Sequence, residues 1–177
     1  MAKAAQQATK ATFTSILDQP SGEVDRSVKP LPIGSYIARV VGQPKIDLSS
    51  QKQTEFSEYT LQIIDLWVNP RTQESDVSED ELEDYLTNSD GSKKRLQDVT
   101  IRTQFYHTDA AKGRLLNFLD HLDGIRPGTP ESKEVVKSAR ERMAEVDGKE
   151  VVIHIKHQPW LSGQGVSARV DMTAPVE

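Results

Sequence analysis

The chain contains no cysteine. That excludes disulfides, thiolate zinc sites and a cysteine nucleophile, and it is consistent with a reducing cytoplasm. Aromatic residues make up only 6%, so each one has to be accounted for individually. No apolar run approaches the roughly 20 residues that cross a bilayer. The opening MAKAAQQATKATF also lacks the apolar stretch of a secretory signal. These absences point to a cytoplasmic protein with no membrane partner. A surplus of positive charge is missing too: the net charge is −5, which on its own argues against nucleic acid.

The charge is unevenly placed. Glu74, Asp76, Glu79, Asp80, Glu81, Glu83, Asp84 and Asp90 put eight acids into seventeen residues with no Lys or Arg among them. Taking those eight charges from the net −5 leaves +3 for the rest of the chain. The whole-chain figure therefore says little about any one surface.

What is present reads as one domain with tails. Residues 1–30 are rich in Ala, Gln, Thr and Lys and form a flexible N-terminal arm, with a possible helical turn at Thr14–Leu17. Its Lys3 and Lys10 are either part of a plain terminus or a brush for a polyanion. The domain itself covers 31–174, with 74–90 as an acidic insertion, and 175–177 is the C-terminal end. Its most regular stretch is the last. Val151, Ile153 and Ile155 alternate with Val152, His154 and Lys156, and on the return run Val166, Ala168, Val170 and Met172 alternate with Ser167, Arg169 and Asp171. A period of two with one apolar face is a half-buried strand pair.

Three earlier strands are expected. Pro32–Ile46 places Tyr36, Ala38 and Val40 on one face. Phe56–Val68 starts with Tyr59, Leu61 and Ile63 inward, then shifts to Ile64, Leu66 and Val68, so a bulge is expected near Ile63–Ile64. Gln97–His107 turns Val99, Ile101, Thr103 and Phe105 inward. In the acidic segment Ser78 and Glu81 have capping-box spacing, and the acids fill a first turn, where the helix dipole favours them. A short helix is expected near 79–87, docked through Leu82, Tyr85 and Leu86. Two more follow the third strand. Thr108–Leu122 has Thr108 or Asp109 as N-cap and a stripe of Leu115, Phe118, Leu119 and Leu122. The other starts at Thr129-Pro130, buries Val135, Ala139, Met143 and Val146, and ends at Gly148. The expected fold is mainly β with α: a five-stranded OB-fold-like barrel with two helices between the third and fourth strands and a short acidic helix between the second and third.

Three stretches carry a resemblance: Lys29-Pro-Leu-Pro-Ile-Gly-Ser-Tyr36 ahead of a strand, Phe105-Tyr106-His107-Thr108 leading into Arg114-Leu115-Leu116-Asn117-Phe118-Leu119, and Gly148-Lys149-Glu150-Val151-Val152-Ile153. Over residues 12–172 the chain resembles a group of bacteriophage early proteins, OB-fold single-stranded-DNA-binding proteins of phage replication and recombination. The resemblance implies single-stranded DNA and phage or host replication and recombination proteins as partners, and no cofactor. Many of that group end in an acidic tail that recruits replication enzymes. This sequence ends Pro-Val-Glu177, and the segment 74–90 is a candidate substitute. A second copy of the chain is a further candidate partner, through the sheet edges that small barrels expose.

Single-strand binding needs cations for phosphates and aromatic faces for bases. Outward parity selects Arg39, Gln62, Arg102, Gln104, Tyr106, Lys156 and Arg169, and the loops add Lys45, Lys52, Phe56, His157 and Trp160. Trp160 is either a stacking platform or a cap on the barrel end; Tyr106 either stacks or covers the next helix. The case for Arg39, Arg102, Lys156 and Arg169 is collective, since four strands each turn a base outward. Catalytic sites are hard to build. His154 and His157 lie on opposite faces of a strand, His107 and His121 are isolated, and Asp90-Gly91-Ser92-Lys93-Lys94 lacks phosphate-loop spacing. The expectation is a non-enzymatic protein. The alternative is a phage protein-interaction module, a virion component or host-factor binder acting through the acidic insertion.

Overall fold

The computed structural model describes residues 29–163 and 165–176, so Lys3, Lys10 and Thr14–Leu17 of the expected arm lie outside the described residues. The order is β1 (Gly34–Val40), β2 (Lys45–Leu48), β3 (Glu55–Leu66), α1 (Glu79–Leu86), β4 (Thr100–Tyr106), α2 (Lys112–Leu122), α3 (Pro130–Lys133), α4 (Ala139–Met143), β5 (Glu150–Pro159) and β6 (Val166–Ala174). The protein is mainly β. Six antiparallel strands form an open sheet ordered β2-β3-β1-β5-β6, with β4 on the other edge of β3, beside four helices. Among the described residues no helix is long and apolar enough to cross a membrane.

Two features of the expected barrel change. Gly42, at φ +74°, and Pro44 interrupt the first apolar run, so it forms β1 and β2 and the sheet has six strands instead of five. The sheet also stays open, because no ladder joins β4 to β6. Helix α2 spans that gap instead. Its Phe118 stacks on Phe105 of β4 with centroids 4.7 Å apart, and its His121 Nδ1 lies 2.7 Å from Thr173 Oγ1 of β6. Side chains of a helix bridge the seam where a backbone ladder would have closed it.

Alternation places the core. Tyr36, Ala38, Val40, Tyr59, Leu61, Ile63, Val151, Ile153 and Ile155 are all at most 1% exposed. In β3 the register against β1 slips at Ile64, which has no partner between Ala38↔Ile63 and Ile37↔Asp65. That is the bulge expected from the parity switch. A second slip in β6 leaves Asp171 unpaired between Ile155↔Val170 and His154↔Met172. It inverts the parity of the strand end, so Met172, expected inward, is 62% exposed. The helix expected from Thr129 to Gly148 is in fact two short ones. Thr129 caps α3, but Ser138 caps α4 separately by accepting from Glu141 N–H, and Val136 between them is 97% exposed. Helix α2 likewise starts late: Thr108 Oγ1 accepts from Ala111 N–H in a preceding turn.

The helices are tied down by charge. Arg142, 5% exposed, donates to Asp120 Oδ1 at 2.8 Å and to Asp123 Oδ2 at 3.0 Å. Ser132 Oγ donates to Asp120 Oδ2 at 2.6 Å, and Lys149 pairs with Asp123. This network joins α2, α3 and α4 to the start of β5. Breaking a buried pair strands its partner charge, so Arg142→Ala should lower the unfolding free energy by about 3–5 kcal/mol in urea titrations. A loss within the scatter of surface substitutions would show the network to be dispensable.

The same network sets an acid sensitivity. Burial pushes the Asp123 carboxyl up, but hydrogen bonds from Lys149 and Arg142 outweigh it and hold the group below the usual carboxylate range. A carboxylate held low stabilises the fold above its unfolded pKa of about 3.9, and that support is lost as pH falls through the folded value. The urea midpoint should therefore drop on the acid side, and Asp123→Asn should remove part of the drop. An identical acid drop in the variant would contradict this.

Candidate functional site

The site is built on the β3–β4 ladder, whose outward rows are fixed by register. Phe56 lies opposite Tyr106, Glu58 opposite Gln104, Thr60 opposite Arg102 and Gln62 opposite Thr100. Phe56 and Tyr106 meet edge to face with centroids 5.9 Å apart, which leaves Tyr106 43% exposed. Gln104 donates to Glu58 Oε2 at 2.7 Å, and Arg102 lies 3.8 Å from the same carboxylate.

The free edge of β4 opens onto grooves that share walls. A cleft of about 260 Å³ is lined by Arg102, Gln104 and Tyr106 of β4, Arg114 of α2 and Arg169 of β6, with no carboxylate in its wall. Past Tyr106 it meets a wider hollow of about 500 Å³ under the Ser49–Thr54 loop, which holds Lys52. Cations and an aromatic face thus follow one line along β4. Among the described residues neither Lys52 nor Arg114 has an ion pair, and Arg169 has a 3.3 Å hydrogen bond to Gln158 and a weak electrostatic attraction to Asp171 but no ion pair. Cations left without counter-ions are available to an anionic ligand.

The remaining candidates are placed elsewhere or otherwise engaged. Arg39 is paired with Glu150 at 2.7 Å and Lys156 with Asp171 at 3.0 Å. The four bases from four strands therefore do not all converge: Arg102 and Arg169 share the cleft, while Arg39 and Lys156 sit in ion pairs on β1 and β5. Lys45 lies 3.6 Å from Asp47 on β2. Gln62 donates to the Gln97 carbonyl at 2.9 Å and pins the 3-10 turn at Leu96–Asp98. His157 Nε2 is 2.8 Å from the Leu31 carbonyl oxygen, a strut under the start of the domain. Sequence reasoning used Arg114 as a helix motif and missed it as a groove residue. Its spacing from Leu115 and Phe118 puts it beside the buried stripe of α2, and that adjacency was the available signal.

Trp160 stands at the tip of the β5–β6 hairpin, 42% exposed. Its backbone N–H donates to the Gly165 carbonyl at 2.8 Å, and its ring lies against Gly165 so closely that a Cβ there would be 2.9 Å from Cε3. One face of the indole therefore rests on backbone. This is neither a cap on the core nor a free-swinging side chain.

His107, isolated in sequence, has two partners in space. Its Nδ1 lies 2.7 Å from Glu55 Oε1 and its Nε2 3.0 Å from Ser57 Oγ. The order serine–histidine–glutamate is that of a hydrolytic triad. Ser57, however, is fully buried and also bonded to the Tyr59 hydroxyl, which burial pushes up to about 12. With Ser57 Oγ shut inside, the arrangement ties β3 to the end of β4. Among the described residues no cluster of three or more His, Asp or Glu is placed to hold a metal ion.

The architecture is a mainly β module, a six-stranded open sheet with a cationic groove at its seam. In comparisons with protein-family models and with curated proteins, nothing matches this chain.

The contact of Trp160 with Gly165 can be checked directly. In a Trp67→Phe background, Gly165→Ala should raise acrylamide quenching of the remaining indole, because the added methyl displaces the ring. Unchanged quenching would mean that the ring does not rest on Gly165.

Proposed function

We propose that this protein binds single-stranded DNA without sequence preference, along the groove at the free edge of β4. The setting we propose is phage DNA replication or recombination in the host cytoplasm, as the resemblance of its sequence motifs implies. The observation that carries the reading is the line of cations outside any ion pair, Lys52, Arg114 and Arg169, on either side of the exposed ring of Tyr106. Phosphates take the cations, and bases take the aromatic faces, which every base can stack on. In this reading β1 and β2 act as one bent strand, so the sheet is an OB-like barrel whose seam is left open as the binding groove. Trp160, held by one face at the hairpin tip, supplies a second stacking surface.

A second reading keeps one supporting observation. Glu74, Glu79, Asp80 and Glu81 are exposed and make no ion pair among the described residues, so the insertion offers charge to a basic protein partner, such as a replication or recombination enzyme. Val77, Leu82, Tyr85 and Leu86 pack on the core, so the two readings are separated by neutralising those four acids rather than by deleting the segment. Neutralisation should leave DNA affinity unchanged or tighter under the first reading and should abolish partner capture under the second.

The groove reading is tested with poly(dT). Binding should quench Trp160 emission at low salt and weaken as salt rises, with a log–log slope that Lys52→Gln makes shallower by about 0.7. Tyr106→Ala should cost roughly 1–3 kcal/mol of affinity. Absence of quenching and of any retarded band at micromolar protein would refute single-strand binding. An effect of Tyr106→Ala no larger than that of an exposed residue outside the groove would refute this placement of the site.

A further inference from the structure

Three arginines from three separate elements line one cleft: Arg102 from β4, Arg114 from α2 and Arg169 from β6. Bringing like charges together is unfavourable unless something of opposite sign joins them. The wall of the cleft supplies nothing of that sign. Glu58, on the outer face of β3, accepts from Gln104 and is a loose 3.8 Å partner for Arg102 alone, while Asp171 is held by Lys156. Each guanidinium offers a planar fork of donors that matches phosphate oxygens. The roughly 260 Å³ of the cleft far exceeds the 10–15 Å³ that one water needs. Tyr106, in the same wall, also lines the neighbouring hollow that opens from the cleft.

A phosphodiester inside a strand carries a single negative charge. A phosphomonoester carries about −1.5 to −2 at neutral pH and has three free oxygens. Three guanidiniums, of which only Arg102 has a carboxylate within 4 Å, suit the second better than the first. We propose that this cleft is a phosphomonoester site: it takes the terminal phosphate of a nucleotide, with the attached base on Tyr106, so that the groove engages phosphorylated strand ends in preference to strand interiors. The assignment rests on the groove reading for its polynucleotide, but the cleft can be probed without one.

The test uses the full chain and 3′-labelled dT oligomers that differ only in a 5′-phosphate or 5′-hydroxyl, with a 5′-labelled pair differing at the 3′ end. Anisotropy titrations at matched salt should give about tenfold tighter binding to one phosphorylated end, the scale of one added charge-assisted contact. Arg114→Gln should weaken binding to both oligomers through the lost phosphate contact, but the phosphorylated one more, so that the increment between them disappears. Arg114→Lys should restore it only in part, because the charge returns without the fork. In parallel, dTMP and inorganic phosphate are titrated while the arginine Nε–H resonances are followed by NMR. Perturbation by both identifies a site for phosphate itself, and perturbation by dTMP alone identifies a terminal nucleotide site. Equal affinity for phosphorylated and unphosphorylated ends, or equal losses on both in Arg114→Gln, would overturn the proposal. If no oligomer binds while dTMP still perturbs Arg114, the groove reading fails and the cleft assignment stands. If neither happens, both fail.

Discussion

Three rings hold the molecule in the shape that makes a groove possible. Tyr59 of β3, Phe105 of β4 and Phe118 of α2 meet with centroids 5.8, 4.9 and 4.7 Å apart, two contacts edge to face and one stacked. Such pairs contribute about 0.5–1.5 kcal/mol each beyond the area they bury. Their geometric effect matters more than their energy. They press α2 against the inner side of β4 at the point where β6 would otherwise pair with it, so the seam is walled by a helix face. Arg114 flanks that face, and Arg169 projects from the other bank. The groove is a by-product of how the core is filled.

Much of the sheet was legible because period-two patterns leave few alternatives. Val151-Ile153-Ile155 alternates with a largely polar row and Tyr36-Ala38-Val40 shares one face of a strand apolar on both sides, and both rows lie in the core. The parity change at Ile63–Ile64 announced a bulge, because a strand cannot switch faces without an extra residue. The bulge at Asp171 was silent. Both Asp171 and Met172 fit a simple alternation, and only the partner strand reveals that one residue is left over. The helical region between β4 and β5 misled for a related reason. Val135, Ala139, Met143 and Val146 repeat at helical spacing whether or not the turn between them is helical, and Ser138 gives its local capping bond to a new helix instead.

The site was legible in part, and the division follows the kind of information each residue carries. Outward parity located Arg102, Gln104, Tyr106 and Arg169 correctly on the sheet surface. Parity says nothing of the neighbour across the ladder. Arg39 and Lys156 point outward as expected and are taken up by Glu150 and Asp171, acids that are distant or two-sided in the sequence. His157 is used by a carbonyl oxygen more than a hundred residues away in the chain. Which cations remain unpaired is a property of the folded surface, and this property decides where an anion can settle.

The net charge of −5 is compatible with an anionic ligand on grounds of distance. The acidic insertion is fastened at one end of the sheet. Asp76 accepts from Ser35 N–H at 2.7 Å and from Ser35 Oγ at 2.8 Å, and Val77 lies where a side chain on Gly34 would have to be. That end is the Tyr36–Leu66 row, whereas the Phe56–Tyr106 row is ten residues away along β3. At about 3.3 Å per residue this is roughly 33 Å of strand. Charges in water are screened over about 10 Å at 0.1 M salt, so about three screening lengths of strand lie between that fastening and Tyr106, and about two between it and Arg102 opposite Thr60. Two of the acids, Asp84 and Glu83, are further offset by Lys29 and Lys93. An anion placed at Tyr106 would therefore respond to Lys52, Arg102, Arg114 and Arg169 around it, while the insertion sets the charge of a different surface. Only as ionic strength falls, and screening lengthens, do the two surfaces begin to act on one another.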